Sequence, residues 1–243
     1  MNKYDIDYFQ CTECLFLQTE KPYWLKESYD NGAISCLDTG VLERNSYFSK
    51  IASGIIYFLL NKNGTFLDYG GGYGILTRMM RDRGFDFYWH DPYAKNILSG
   101  GFEGITDGST KYEALTSFEN FEHFADPVFE IEKLTGLTDN IIFSTELLPV
   151  DLPKPNAWWY YCLGHGQHVS LYSYKTLKFI AQQYQMNLYS NHRSFHMLTR
   201  HKYSDFQFNS LIRMTNLGLS NFTKLPSRTI PDFDVLEEKL KGA

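Results

Sequence analysis

Short apolar runs alternate with amphipathic stretches along most of this chain. Arg44 to Leu60 carries a helical pattern that ends in the apolar run Ile51–Leu60 and closes at Asn63-Gly64. An apolar strand over Phe66–Tyr69 comes next. After a glycine-rich turn, Ile75, Leu76, Met79 and Met80 form one helical stripe, with Arg78, Arg81 and Arg83 on the wet side and Gly84 as the stop. Phe85–His90 reads as a second strand and Asn140–Ser144 as a later one. Tyr174 to Gln185 is a helix with Leu177, Ile180 and Ala181 on one face and Ser173 as its cap. Two strands follow, near Met186–Tyr189 and Phe195–Arg200. Beyond Tyr203 the periodicity weakens to a short helix over Asn209–Thr215, an extended Pro226–Pro231 and a charged helix over Val235–Lys241. This order of elements is that of an α/β protein.

The turn after the first strand is where chemistry enters. Asp68 ends the strand, and Gly70, Gly72 and Gly74 occupy alternate positions before the helix. Such a turn folds tightly over a ligand and aims backbone amides at it from a helix start. Asp91, at the tip of the neighbouring strand, stands where a Rossmann-like site holds ribose hydroxyls. A dinucleotide fingerprint needs glycine at the first, third and sixth places, but the sixth place is Ile75 or Thr77 here. A phosphate-binding Walker loop needs a lysine that the turn lacks. What fits is acid-x-Gly-x-Gly-x-Gly, which resembles motif I of the class I S-adenosylmethionine (SAM) methyltransferases.

The resemblance runs from about Leu42 to His201. Glu113 opens and Glu122-His123 closes a segment similar to the fourth-strand motif of small-molecule methyltransferases, with Asp126-Pro127 starting the next helix. Gly166-Gln167-His168-Val169-Ser170-Leu171-Tyr172-Ser173 resembles the segment before that family's last large helix. The resemblance implies an α/β, Rossmann-like class I methyltransferase fold: a mostly parallel seven-stranded sheet, helices on both faces, an antiparallel last strand and a small N-terminal cap. The implied divisions are a cap over 1–41, a SAM-binding catalytic domain over 42–202 and a C-terminal extension over 203–243. It further implies that Asp68, Gly70, Gly72, Gly74, Asp91 and Glu119 bind the cofactor. Tyr29 and Arg44 match cap residues that reach back over it, the guanidinium fork suiting the methionine carboxylate. S-adenosylhomocysteine (SAH) is the implied product.

Composition narrows the partners. The net charge is −5 with no long Lys/Arg run, so the basic footprint of a nucleic-acid enzyme is absent. Ile51–Leu60 is too short to span a bilayer, and the polar, acidic Met1–Tyr8 is no signal peptide, so a cytoplasmic enzyme without membrane contact is expected. Cys11-Thr12-Glu13-Cys14 resembles the second half of the zinc-ribbon lobe of many sugar methyltransferases. The first half is missing, and with Cys36 and Cys162 scattered, reduced thiols and no metal are expected.

Methyl transfer to a hydroxyl or acidic C–H asks for positioning and a proton acceptor. Histidine is the natural base near neutral pH, and His123, His165 and His168 fall on the catalytic face by motif. The resemblance makes His168 the base, although Gln167 replaces the glutamate that often precedes it, and has His123 orient the cofactor side. Alternation of Trp158-Trp159-Tyr160-Tyr161 along a strand would turn two rings to the acceptor and two away. The expected acceptor is a small molecule: a sugar, nucleotide sugar or polysaccharide precursor. The alternatives are a protein or nucleic-acid methyltransferase and a non-catalytic SAM-binding scaffold. Against nucleic acid, Glu119-Asn120-Phe121-Glu122 stands where amino-methylating enzymes carry Asn/Asp-Pro-Pro-Tyr/Phe. The tail is left to cover the site, form a homodimer contact or hang free.

Overall fold

The computed structural model describes residues 3–30 and 38–242; Cys36 lies outside them. The chain runs β1 (Tyr8–Gln10), β2 (Leu17–Thr19), α1 (Leu25–Asp30), α2 (Val41–Leu59), β3 (Thr65–Tyr69), α3 (Ile75–Asp82), β4 (Asp86–His90), β5 (Ala114–Ser117) and α4 (Pro127–Leu137). It continues with β6 (Asn140–Ser144), β7 (Ser170–Leu171), α5 (Tyr174–Gln183), β8 (Asn187–Ser190), β9 (Phe195–Thr199), α6 (Asp205–Asn216) and α7 (Thr229–Lys241).

The main sheet has the order β4-β3-β5-β6-β9-β8. Its first four strands are parallel, and β9 is antiparallel to both β6 and β8. Successive side chains point to opposite faces, which builds two cores. Phe66, Phe87, Ile142 and Met197 face α2, α3 and α6 through Ile51, Ile55, Met80 and Phe208. Leu67, Leu115, Ile141 and Leu198 face α4 and α5 through Leu134 and Leu177. Helix starts follow the expected chemistry. Asp126 accepts from the Phe129 amide, and Ser173 with Thr176 forms a reciprocal capping box.

Several expectations are corrected. The sheet has six strands among the described residues, not seven. The seventh position, beside β4, is a single parallel bridge between Trp89 and Glu103. Glycines at 100, 101 and 104 surround it and leave little side chain to pack as a strand. The Trp158–Tyr161 run is no strand but ends in a 3-10 turn over Trp159–Tyr161, with Tyr160 and Tyr161 buried and Trp159 exposed. The short tail helix is longer than expected because Ser204 and Gln207 cap each other's backbone. Pro226–Pro231 is not wholly extended, since α7 begins at Thr229. Pro231 sits in its first turn, where a missing N–H costs nothing.

Arg81 is not on the wet side. It is buried, and its guanidinium forks onto Asp232 of α7, Nε to Oδ2 at 2.7 Å and Nη2 to Oδ1 at 2.6 Å. Its remaining nitrogen, Nη1, donates to Asp86 and to the Phe87 carbonyl, and Phe102 lies 3.7 Å beneath the cation. This contact ties the C-terminal helix to α3. Asp232→Ala leaves a buried guanidinium with only half its counter-charge, and should cost about 3 kcal/mol. Urea denaturation checks this, and an unchanged midpoint would contradict it.

Candidate active site

Two halves of a site meet at the carboxyl ends of β3, β4 and β5, where open α/β sheets bind ligands. The glycine turn supplies the first half. The Gly70 and Gly71 amides donate to the His90 carbonyl at 2.8 and 3.2 Å, and the Gly72 amide donates to Asp91 Oδ2 at 2.9 Å. Gly70 has φ 75° and Gly72 φ 52°, backbone that a side chain would strain. A Cβ on Gly70 would also strike the Asn120 amide at 2.5 Å, whereas one on Gly72 would meet nothing within 4 Å. At Gly72, therefore, the backbone presents an open cradle to a ligand.

The acids take different places. Asp68 is buried beneath the turn and accepts from the Thr77 and Thr116 hydroxyls, each at 2.9 Å. Burial pushes its carboxyl up to about 6, and its two hydroxyl partners tie it to α3 and β5 beneath the loop. Asp91 stands beside the turn, its second oxygen accepting from the Tyr93 and Ala94 amides. Glu119 holds a left-handed φ of 52°, accepts from the Ser144 hydroxyl at 2.6 Å and lies 3.9 Å from Arg44. Arg44 itself pairs with Asp38 at 2.7 Å, which raises its already high pKa further.

The second half gathers around His168. Its Nδ1–H donates to the Tyr160 carbonyl at 2.7 Å, which fixes the tautomer and leaves Nε2 as the free lone pair. His123 is held likewise, Nδ1 lying 3.1 Å from the Gln167 carbonyl and 3.2 Å from the Tyr29 hydroxyl. The two imidazoles stand edge to face with centroids 4.9 Å apart. Burial, and for His168 also the His123 ring, pushes them down to about 2 (His168) and about 4 (His123), so both are neutral at physiological pH. Tyr29 also stacks on Tyr93 at 5.8 Å.

The N-terminal hairpin fixes this second half. Strand β2 pairs with β7, extending a small sheet to the residues just past His168. Trp24 Nε1 donates to the Gly166 carbonyl at 2.7 Å, Gln167 Nε2 to the Ser28 carbonyl at 3.1 Å, and the Val169 amide to the Glu122 carbonyl at 2.8 Å. The cap thus clamps the Gly166–Val169 loop against the Glu122–His123 turn. Cys11 and Cys14 are free thiols, and the Cys14 carbonyl accepts from the Ser173 and Thr176 hydroxyls. A cavity of about 290 Å³ between Lys111, Glu113 and His201 opens at the opposite, amino end of the strands and faces none of these groups.

Sequence reasoning left Glu122 out of the site. Its carboxyl is buried beside the histidines without a hydrogen-bond partner of normal geometry, and burial plus the Glu119 charge raises it to about 8. Cys162 was also passed over, and His165, one of the three candidate bases, was not joined to it, although Cys162, His165 and His168 recur every third residue and come together here.

The family model of a methyltransferase domain matches residues 44–191. No curated protein is detectably similar in sequence. Among solved structures, an O-methyltransferase family protein from Burkholderia thailandensis superposes with a TM-score of 0.56 at 13% identity, over 75% of this chain and 64% of that one. TnmH gives 0.51 at 12% identity, over 73% and 61%. The plantazolicin methyltransferase BpumL, solved with a desmethylplantazolicin analogue and SAH, gives 0.56 at 11% identity, over 82% and 88%. The chain therefore spans less than two thirds of the first two relatives, and at these identities the likeness is one of fold. The chain belongs to the methyltransferase domain family, whose cofactor is S-adenosylmethionine.

Proposed function

We propose that this protein methylates a hydroxyl of a small-molecule acceptor, most specifically a sugar, nucleotide sugar or polysaccharide precursor. The observation that carries the reading is the pair of neutral imidazoles, each pinned through Nδ1 to a backbone carbonyl, beside an open glycine cradle. Gly70, Gly72 and Gly74 would hold the cofactor with Asp91 at its ribose, while Arg44 and Glu119 lie at its amino-acid end. Bound SAM supplies a sulfonium methyl: the acceptor oxygen bonds to that carbon, and the carbon–sulfur electron pair leaves with SAH.

This chain's own work is then to orient the acceptor and accept its proton. Nε2 of His168 receives the hydroxyl hydrogen bond and takes the proton as the new bond forms, with His123 beside it. As buried imidazoles these are weak bases, so they take the proton as the C–O bond forms and the oxygen becomes acidic, rather than deprotonating the hydroxyl beforehand. Tyr29 and Tyr93, stacked on each other beside His123, leave their outer faces to a ring-shaped acceptor.

Calorimetric titration with SAM and SAH tests the cofactor half. Wild type should bind both, and Asp91→Ala should weaken binding by about 10- to 100-fold, the worth of a charged hydrogen-bond acceptor. Equal binding by the variant would remove Asp91 from the site. Acceptor screening tests the other half. His168→Ala should lower turnover by about 10²–10⁴-fold while SAM affinity is kept, and unchanged turnover would overturn its role.

A further inference from the structure

The acceptor side of the site holds more metal-binding groups than proton transfer needs. Donor atoms of Glu122, His123 and His168 lie within 4.8 Å of one another, and those of Cys162, His165 and His168 form a second such set. A tetrahedral ion with ligands at about 2.0–2.3 Å needs donors roughly 3.5 Å apart, so side-chain shifts of about 1 Å or less would close either set. The sets share His168, which has a single free nitrogen, so there is room for one ion on it.

Two observations point to the first set, although His165 Nδ1 of the second is also buried without a hydrogen-bond partner. First, His123 and His168 each direct Nδ1 to a backbone carbonyl, Gln167 at 3.1 Å and Tyr160 at 2.7 Å. That is the outer hydrogen bond that fixes the tautomer and aim of metal-ligating histidines. Second, Glu122 has no exposed surface, and the Tyr160 and Thr145 hydroxyls approach its carboxyl without either oxygen gaining a hydrogen-bond partner of normal geometry. Leaving a buried carboxyl unpaired is expensive, and buried charges are held by a partner or a metal. A cation is one partner that would satisfy this carboxyl, and the neighbouring imidazoles supply the rest of a coordination shell.

We propose that Glu122, His123 and His168 bind one divalent transition-metal ion of the zinc or iron(II) class, with an open position for the acceptor oxygen. Two imidazoles and a carboxylate suit these ions, whereas magnesium prefers an all-oxygen shell. This rests on the reading of the pocket as the acceptor's and deepens it. With an ion bound, the two imidazole lone pairs would be its ligands, and the ion, in place of His168, would acidify the acceptor hydroxyl, whose proton passes to solvent water before the oxygen takes the methyl group.

The test uses full-length protein freed of metal by a chelator and titrated with Co²⁺, whose visible bands report coordination, and then with Zn²⁺. The expected result is one Co²⁺ per chain, displaced by Zn²⁺ but not by Mg²⁺. Glu122→Gln and His168→Ala should weaken Co²⁺ binding by about 100-fold or more. Cys162→Ser should leave both binding and spectrum unchanged, with no thiolate charge-transfer band. Circular dichroism and SAM titration on each sample show that it is folded. Wild type that binds SAM but no Co²⁺ would overturn the metal site and leave the cofactor reading intact. Loss of binding in Cys162→Ser but not in Glu122→Gln would overturn this ligand set.

Discussion

The constraint behind everything at the carboxyl edge is that the chain must leave β3, reverse and enter α3 within five residues without burying an unpaired amide. Left-handed backbone at Gly70, Gly72 and Gly74 makes the reversal sterically possible. His90 and Asp91, at the end of the adjacent strand, then absorb the amides of Gly70, Gly71 and Gly72. Because β3 and β4 pair in register from Thr65–Asp86 to Tyr69–His90, the acid of one strand arrives beside the glycines of the other. Asp68 supports the turn from below through two threonine hydroxyls. The cradle is thus a consequence of strand register.

A second constraint shapes the histidine side. The Gly166–Val169 loop has little secondary structure of its own and is held from outside: Trp24 donates to the Gly166 carbonyl, the Gln167 side chain donates to the Ser28 carbonyl, and the Val169 amide donates to the Glu122 carbonyl. Two of these belong to the N-terminal hairpin and helix. The cap is therefore part of the site, since it holds the loop that sets the direction of His168. At the far end of the chain, Arg81 and Asp232 bind α7 onto α3, well away from the histidines.

Much of this was legible from local pattern. The acid and spaced glycines of motif I, the Asp126 and Ser173 caps and the apolar runs of the central strands are all decided by neighbours a few residues apart. What was not legible depended on distant partners. Arg81 reads as a surface residue of an amphipathic helix because its partner, Asp232, is 151 positions away. The seventh strand fails because glycines flank Glu103, and tertiary context reduces the segment to one bridge. Glu122 was visible as half of a Glu-His pair, but only the fold buries it beside His168. The cap's role was hidden for the same reason, since β2 and β7 lie far apart in sequence.

The central claim is that one site at the carboxyl edge joins the glycine cradle to the histidine pocket. Hydrogen–deuterium exchange with and without saturating SAH tests it most directly. The account predicts slowed exchange in the Gly70–Gly74 turn, at Asp91–Ala94 and around Glu119–Asn120, with smaller effects reaching His123. Slowing confined to other surfaces, or none at the glycine turn under conditions where SAH binds, would contradict it.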